Sequence, residues 1–155
     1  MSGLQAFINI QKMLKPDGDV LLTFLANNPI FEIYKQLSQQ GRWHSYMNDI
    51  NQFVSPYQYS PDPQGDLEKL LRDTGFTNIV CKVKHRIYVY PNVITLRKSI
   101  TAVNPFLSGI PDNMKEKYLE DYLAEVKRMD FVETNNNNEE QIKVPYELFV
   151  VYAQK

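Results

Sequence analysis

The run Val20-Leu21-Leu22-Thr23-Phe24-Leu25-Ala26 constrains this chain more than any other stretch. It is almost continuously apolar and shows no polar alternation. It therefore reads as a strand covered on both faces, as in a parallel α/β sheet. What precedes it agrees. Leu4, Phe7, Ile8 and Leu14 fall close to one helical face, which Ile10 and Met13 widen. Lys15-Pro16-Asp17-Gly18 then stops that helix with turn chemistry. Helix, tight turn and buried strand make the helix-to-strand step of an α/β fold. In such folds the glycine-rich loop that cradles a nucleotide follows an earlier strand. The chain is thus expected to open partway through its sheet.

Downstream, Asn28-Pro29 is a helix start, an Asn cap with Pro in the first turn. Ile30, Phe31, Ile33, Tyr34 and Leu37 ride on that helix, and Gly41 ends it. Trp43, Tyr46, Met47, Ile50, Phe53 and Val54 recur at helical spacing and predict a second helix. Ser55-Pro56 and Ser60-Pro61-Asp62-Pro63 close the pair. Residues 66–73 read as a helix with Gly75 as its C-terminal cap, and residues 76–90 as one long strand or a bent pair. A helix over 93–103 is broken by Pro105-Phe106-Leu107, and the longest helix runs from Pro111-Asp112 to about Met129. Residues 134–141, with Asn135 to Asn138 and Glu139-Glu140, predict a mobile solvent loop. Residues 146–153 form the last strand. The expected order is α β α α α β α α β, with three strands in a single partial domain over 1–155.

Composition closes off several classes. A formal net charge of −1 provides no long-range field, which argues against nucleic acid and anionic membrane as partners. The single cysteine, Cys81, rules out an internal disulfide and reads as a buried small hydrophobe. Two histidines are too few for a metal cluster. Lys12 and Lys15 interrupt any signal-peptide core, and no apolar run reaches membrane-spanning length, so a cytoplasmic location is expected.

Met13-Leu14-Lys15-Pro16-Asp17-Gly18 before an apolar strand resembles the turn preceding strand five of class I S-adenosylmethionine-dependent methyltransferases. The sequel is more specific. Phe24-Leu25-Ala26-Asn27-Asn28-Pro29-Ile30-Phe31, Trp43, Phe53-Val54-Ser55-Pro56-Tyr57 and Val103-Asn104-Pro105-Phe106-Leu107 together resemble the insect juvenile hormone acid methyltransferase family. The likeness covers nearly the whole chain but only the C-terminal half of the family pattern. It implies a Rossmann-like seven-stranded sheet in the order 3-2-1-4-5-7-6. Residues 20–26, 76–90 and 146–153 would be strands five, six and seven, in the local order 5-7-6 with the last antiparallel. The family's glycine-rich cofactor loop and its ribose-holding acidic residue have no counterpart here. The resemblance therefore implies S-adenosylmethionine as cofactor of the complete fold, not of this chain alone.

The implied reaction is methylation of the carboxylate of an apolar terpenoid acid, of juvenile hormone acid or farnesoic acid type. Such an acid has a pKa of about 4 to 5 and is already the anionic nucleophile at neutral pH, so no general base is needed. Alignment and exclusion of water remain as the catalytic tasks. No catalytic residue is assigned. A greasy pocket with one polar end suits the substrate. The helical insertion over 27–60 supplies the candidates Asn27, Ile30, Phe31, Tyr34, Trp43, Tyr46, Phe53 and Tyr57. The same aromatic stripe also fits plain core packing. Arg42, His44 and Ser55 are further polar candidates, read first as surface or turn residues. A second reading is a non-catalytic module for an apolar ligand or partner. On either reading, residues 20–26 are left as an apolar edge open to self-association.

Overall fold

The computed structural model describes residues 3–134 and 136–155. In chain order the elements are α1 (Gly3–Met13), β1 (Asp19–Asn27), α2 (Pro29–Gln39), α3 (Pro63–Asp73), β2 (Thr77–Tyr90), α4 (Val93–Val103), α5 (Asp112–Arg128), β3 (Val132–Thr134) and β4 (Glu140–Gln154). Short 3-10 turns lie at His44–Tyr46, Ile50–Gln52 and Leu107–Gly109.

Local chemistry sets most of these boundaries. The Asn28 side chain accepts the Ile30 N–H at 3.0 Å, Asp62 accepts that of Gly65 at 2.9 Å, and Asn92 that of Thr95 at 2.8 Å. Each cap satisfies an amide that the first helical turn leaves without a partner. Between α1 and β1 the Gly18 N–H donates to Lys15 O at 3.0 Å, with Asp17 in the left-handed region at φ 57°. A Cβ on Gly18 would lie 2.9 Å from that same carbonyl oxygen, so the turn needs glycine. After α3, Gly75 takes φ 88° and lets the chain reverse into β2.

The sheet has four strands, in the order β1-β4-β2, with β3 also paired to β4. β1 runs antiparallel to β4, from Asp19 opposite Gln154 to Leu25 opposite Leu148, before an irregularity sets Asn27 opposite Glu147. β2 also runs against β4, since Asn78 bonds to Gln154 while His85 meets Glu147. β3 and β4 form a hairpin, with Val132 opposite Ile142 and Thr134 opposite Glu140.

Four expectations change. The sheet has four strands where three were read: Val132–Thr134 is a short strand with a single apolar residue, and the last strand begins at Glu140 rather than Tyr146, its polar start burying only Ile142. The loop placed at 134–141 narrows accordingly, since both ends belong to this hairpin; Asn135 lies outside the described residues. The helix expected over 43–54 is instead two 3-10 turns separated by Met47–Asp49. Asn48 donates to Ser45 O at 3.3 Å, the kind of side-chain bond by which Ser and Asn compete with helical pairing. Finally, β1 is not covered on both faces. Its burial alternates, with Leu21 70% exposed, while its pairing on one side only among the described strands is the edge position expected of residues 20–26.

The chain divides into two compact units. The first contains the residues up to Asn27, Ser55–Arg86 and Tyr146–Lys155. Its core joins Phe7 of α1, Leu67 and Leu71 of α3, and Phe149, Val151 and Ala153 of β4, with Cys81 from β2. Both helices pack on one face of the sheet, while Leu21 and Val80 stand exposed on the other. The second unit contains Asn28–Val54 and Ile87–Pro145, and packs α5 against both α2 and α4. Among the described residues no helix is long and apolar enough to cross a membrane, and no cluster of His, Cys, Asp or Glu could hold a metal ion.

Candidate functional site

In the second unit, six rings follow one another, edge to face except for the tilted pair Tyr118 and Tyr122. Phe53 meets Phe106 at 5.2 Å and Phe106 meets Tyr34 at 5.1 Å. Tyr34 meets Tyr122 at 6.2 Å, Tyr122 meets Tyr118 at 6.5 Å, and Tyr118 meets Trp43 at 5.2 Å with perpendicular planes. These are the separations at which aromatic quadrupoles attract. α2 contributes Tyr34, the 3-10 segment contributes Trp43 and Phe53, and α5 contributes Tyr118 and Tyr122. The set thus joins the longest helix to segments that are short or irregular on their own.

Among the described residues no fully buried side-chain nitrogen or oxygen lacks a hydrogen-bond partner. The Trp43 indole N–H donates to Asp121 Oδ2 at 3.0 Å. Lys117 meets the other carboxylate oxygen at 2.9 Å, and the Arg42 guanidinium stands 3.7 Å from Oδ2 and 5.8 Å from the indole centroid. Asn104, itself buried, donates to the Tyr118 hydroxyl at 3.1 Å and accepts the Phe106 N–H at 2.9 Å. The Tyr46 hydroxyl points to the Met114 sulfur at 3.9 Å. Burial raises the Tyr118 hydroxyl pKa to about 12, the Asn104 hydrogen bond offsetting part of the rise. Burial also raises Tyr34 and Tyr122, reinforced by their tyrosine neighbours. These phenols therefore stay neutral and serve no acid–base chemistry near neutral pH.

Of the candidate site residues, Tyr34, Trp43 and Phe53 are thus brought into one cluster. Trp43, Tyr34 and Phe31 are buried, Ile30 and Tyr46 half-buried, and Phe53 is 38% exposed. Phe53 is therefore the ring that opens this cluster to solvent.

Asn27 and Tyr57 belong to the first unit, at the carboxyl end of β1. There the Asn27 amide donates to Gln58 O at 3.0 Å. Ser55 donates to Ala26 O at 2.9 Å and accepts the Tyr57 N–H at 3.2 Å, so it fastens the turn to the strand end. The Tyr57 ring stands edge-on to Phe149 at 5.0 Å, and burial, then Asp66 and Cys81, raise its hydroxyl. His85, on β2, faces Glu147 with 3.0 Å between Nδ1 and Oε1. In the second unit, His44 lies exposed, with Nδ1 3.1 Å from Ser38 O. Cys81 is buried as expected, its thiol pushed up to about 11 by burial and by Glu68.

Two contributors escaped sequence reasoning. Asp121 looked like one more charge on a solvated helix face, yet it anchors the only tryptophan. The available signal was Tyr118 and Tyr122 flanking it at helical spacing. Asn104 stood only as part of the motif Val103-Asn104-Pro105-Phe106-Leu107, and nothing local marks its bond to Tyr118 fourteen residues on.

The turns that lead from a strand into a helix contain no glycine: β1 to α2 passes through Asn28, and β2 to α4 through Pro91-Asn92. At the first of these, Asn28 itself caps the helix, Pro29 has no N–H, and Glu32 adds negative charge. These residues do not fit the anion-cradling turn that an adenosyl donor would call for.

The chain is 40% identical over 97% of its length to juvenile hormone acid O-methyltransferase of Bombyx mori, covering 55% of that protein. It is 38% identical over 95% of its length to the enzyme of the same name from Drosophila melanogaster, covering 50% of it. The chain thus spans about half the length of the curated relatives it matches, and the resemblance read from its motifs holds along almost its whole length. No family model matches it. Among solved structures, Haemonchus contortus phosphoethanolamine N-methyltransferase 2 aligns over 99% of this chain and 30% of its own. In complex with phosphomonomethylethanolamine and S-adenosylhomocysteine it does so at 14% identity and TM-score 0.39. Its complex with S-adenosyl-L-methionine aligns over the same shares, at 14% identity and TM-score 0.37.

Proposed function

We propose that this chain is the acceptor side of an S-adenosylmethionine-dependent methyltransferase that esterifies an apolar terpenoid acid, of juvenile hormone acid or farnesoic acid type. The observation that carries this reading is the 40% and 38% identity to juvenile hormone acid O-methyltransferases across 97% and 95% of the chain. The sheet order β1-β4-β2, with β4 antiparallel to both neighbours, supports taking these strands as five, seven and six.

The methyl group would come from the sulfonium donor, held by residues that this chain does not supply. What this chain offers is an apolar, water-poor lining. A carboxylate is already ionised at neutral pH, so the lining needs to hold the acid and keep water out rather than move a proton. Ile30, Phe53 and Tyr46 are the side chains of the second unit that would touch the acid's hydrocarbon body. Phe31, Tyr34 and Trp43 would fix those contacts from behind as positioning residues. In a complete relative, replacing the residue that matches Trp43 by Ala is expected to raise the KM for the acid more than that for the donor. Equal losses would contradict the role.

The direct test joins this chain to the glycine-rich strand–loop–helix half of a relative and follows labelled methyl transfer to farnesoic acid. Ester formation by the joined protein is expected. A joined protein that folds, binds the donor and methylates no carboxylic acid would overturn the reading. Saturable binding of the acid with no transfer would favour the alternative, a non-catalytic module for an apolar ligand.

A further inference from the structure

One surface plays no part in that chemistry. β2 ends the sheet path, and no other described strand pairs with its outer side. Its two halves differ. Lys82, Lys84 and Arg86 charge the first half, in the way proteins ordinarily protect a sheet edge. The second half, Ile87-Tyr88-Val89-Tyr90, carries no charge and no proline before Pro91. Ile87, Tyr88 and Val89 are 63%, 55% and 46% exposed, so both faces of the strand are open to water here. Tyr88 and Tyr90 brace each other, with ring centroids 4.6 Å apart. A bare edge of β-branched and aromatic residues is a template for strand addition.

We propose that this edge pairs antiparallel with the same edge of a second copy of this chain, with the two-fold axis at Ile87 or Tyr88. Charge selects both the occupant and the register. In an antiparallel self-pairing, residues equidistant from the axis face each other. Any centre from Lys82 to Arg86 sets a lysine or arginine against a lysine or arginine, which is destabilising. A centre at Val89 or beyond brings Pro91, which lacks an N–H, so close to the axis that little uninterrupted ladder is left on either side. A centre at Ile87 sets Arg86 across from Tyr88 and Lys84 across from Tyr90. A centre at Tyr88 sets Arg86 across from Tyr90 and Lys84 across from Asn92. Each basic residue then meets an aromatic or neutral partner, and cation–π attraction favours the first kind. These registers bring Lys82 or Lys84 of each copy level with the other's Asn92, which lines a hollow together with Pro91, Val93, Ile94, Glu139 and Glu140. The interface is isologous and closes as a dimer through β2, with the β1 edge of each copy outside it.

The 155-residue chain is the test material, examined by sedimentation equilibrium at micromolar concentrations. A dimer is expected. Ile87→Lys or Tyr88→Lys should weaken it by on the order of tenfold, with folding, followed by circular dichroism, unchanged because both sites are exposed. Single cysteines at Ile87, Tyr88 and Leu21 separate this edge from that of β1, buried Cys81 being retained in each. Mild oxidation is expected to link two copies through Ile87→Cys or Tyr88→Cys. A monomer throughout the range would overturn the proposal, as would linkage through Leu21→Cys alone. Neither result depends on methyl transfer, so this inference and the proposed function fail separately.

Discussion

In the unit built around β1, aliphatic and small side chains close a sheet against two helices, and only one face of that sheet is dry. In the unit built around α5, aromatic rings interlock between helices, and every polar group that enters them is anchored. The first arrangement depends on area alone, and its opposite face stays wet at Leu21 and Val80. A strand as apolar as β1 suits a sheet covered on both sides, so this unit shows half of a two-sided burial. The second arrangement needs no further layer. Trp43, Tyr118 and Leu37 are completely withdrawn from water there. The contrast teaches that the two units should fail differently when they are cut into.

The largest effect is expected in the aromatic unit. Trp43→Ala removes the bulkiest buried ring and strands Asp121 beside Arg42 and Lys117, and should cost about 4 to 5 kcal/mol in denaturant unfolding. A cost under about 2 kcal/mol would mean that this cluster collapses onto the gap and is not jointly braced. In the sheet unit, Leu71→Ala deletes a fully buried aliphatic side chain and should cost about 3 kcal/mol by the same measurement. If it exceeded the Trp43 change, the ranking of the two interiors would be reversed.

Alkali separates the units more gently. In the folded chain Tyr118 keeps its proton up to about 12, against 10.0 for an ordinary tyrosine. The unfolded chain therefore loses that proton first as pH rises. Stability is unaffected below pH 10 and falls between 10 and about 12, by at most about 1.4 kcal/mol per pH unit for each such group. Tyr34 and Tyr122 shift in the same direction. Phenolate absorbance of these three should appear together with unfolding, and ionisation in the folded chain near pH 10 would contradict their burial. The smallest effect belongs to the wet face. Leu21→Lys should change stability by less than about 0.5 kcal/mol, because the side chain is already exposed. A loss above about 2 kcal/mol would show that Leu21 packs against something.

What could be read from the sequence was what short range decides. Asn28 was legible as a helix cap because a cap needs only the next two or three residues, whereas Asp62 read as a turn residue and Asn92 was not singled out, though both cap helices in the same way. Gly75 and the Pro16-Asp17-Gly18 turn were readable for the same reason. The segment 43–54 misled, since its apolar spacing is helical while Ser45, Asn48 and Asp49 favour turns. β3 was invisible, being three residues of which only Val132 is apolar. The aromatic candidates were legible as a stripe, but not the bond from Trp43 to Asp121, whose partners lie 78 residues apart. Nor could local pattern say that β1 would sit at an edge, because edge position is decided by which strand lies on its far side.

Equilibrium dialysis of the isolated chain against labelled farnesoic acid and, separately, labelled S-adenosylmethionine tests the central claim most directly. The account predicts saturable uptake of the acid and no uptake of the donor. One-to-one uptake of S-adenosylmethionine, or retention of neither compound by a chain that unfolds cooperatively, would contradict it.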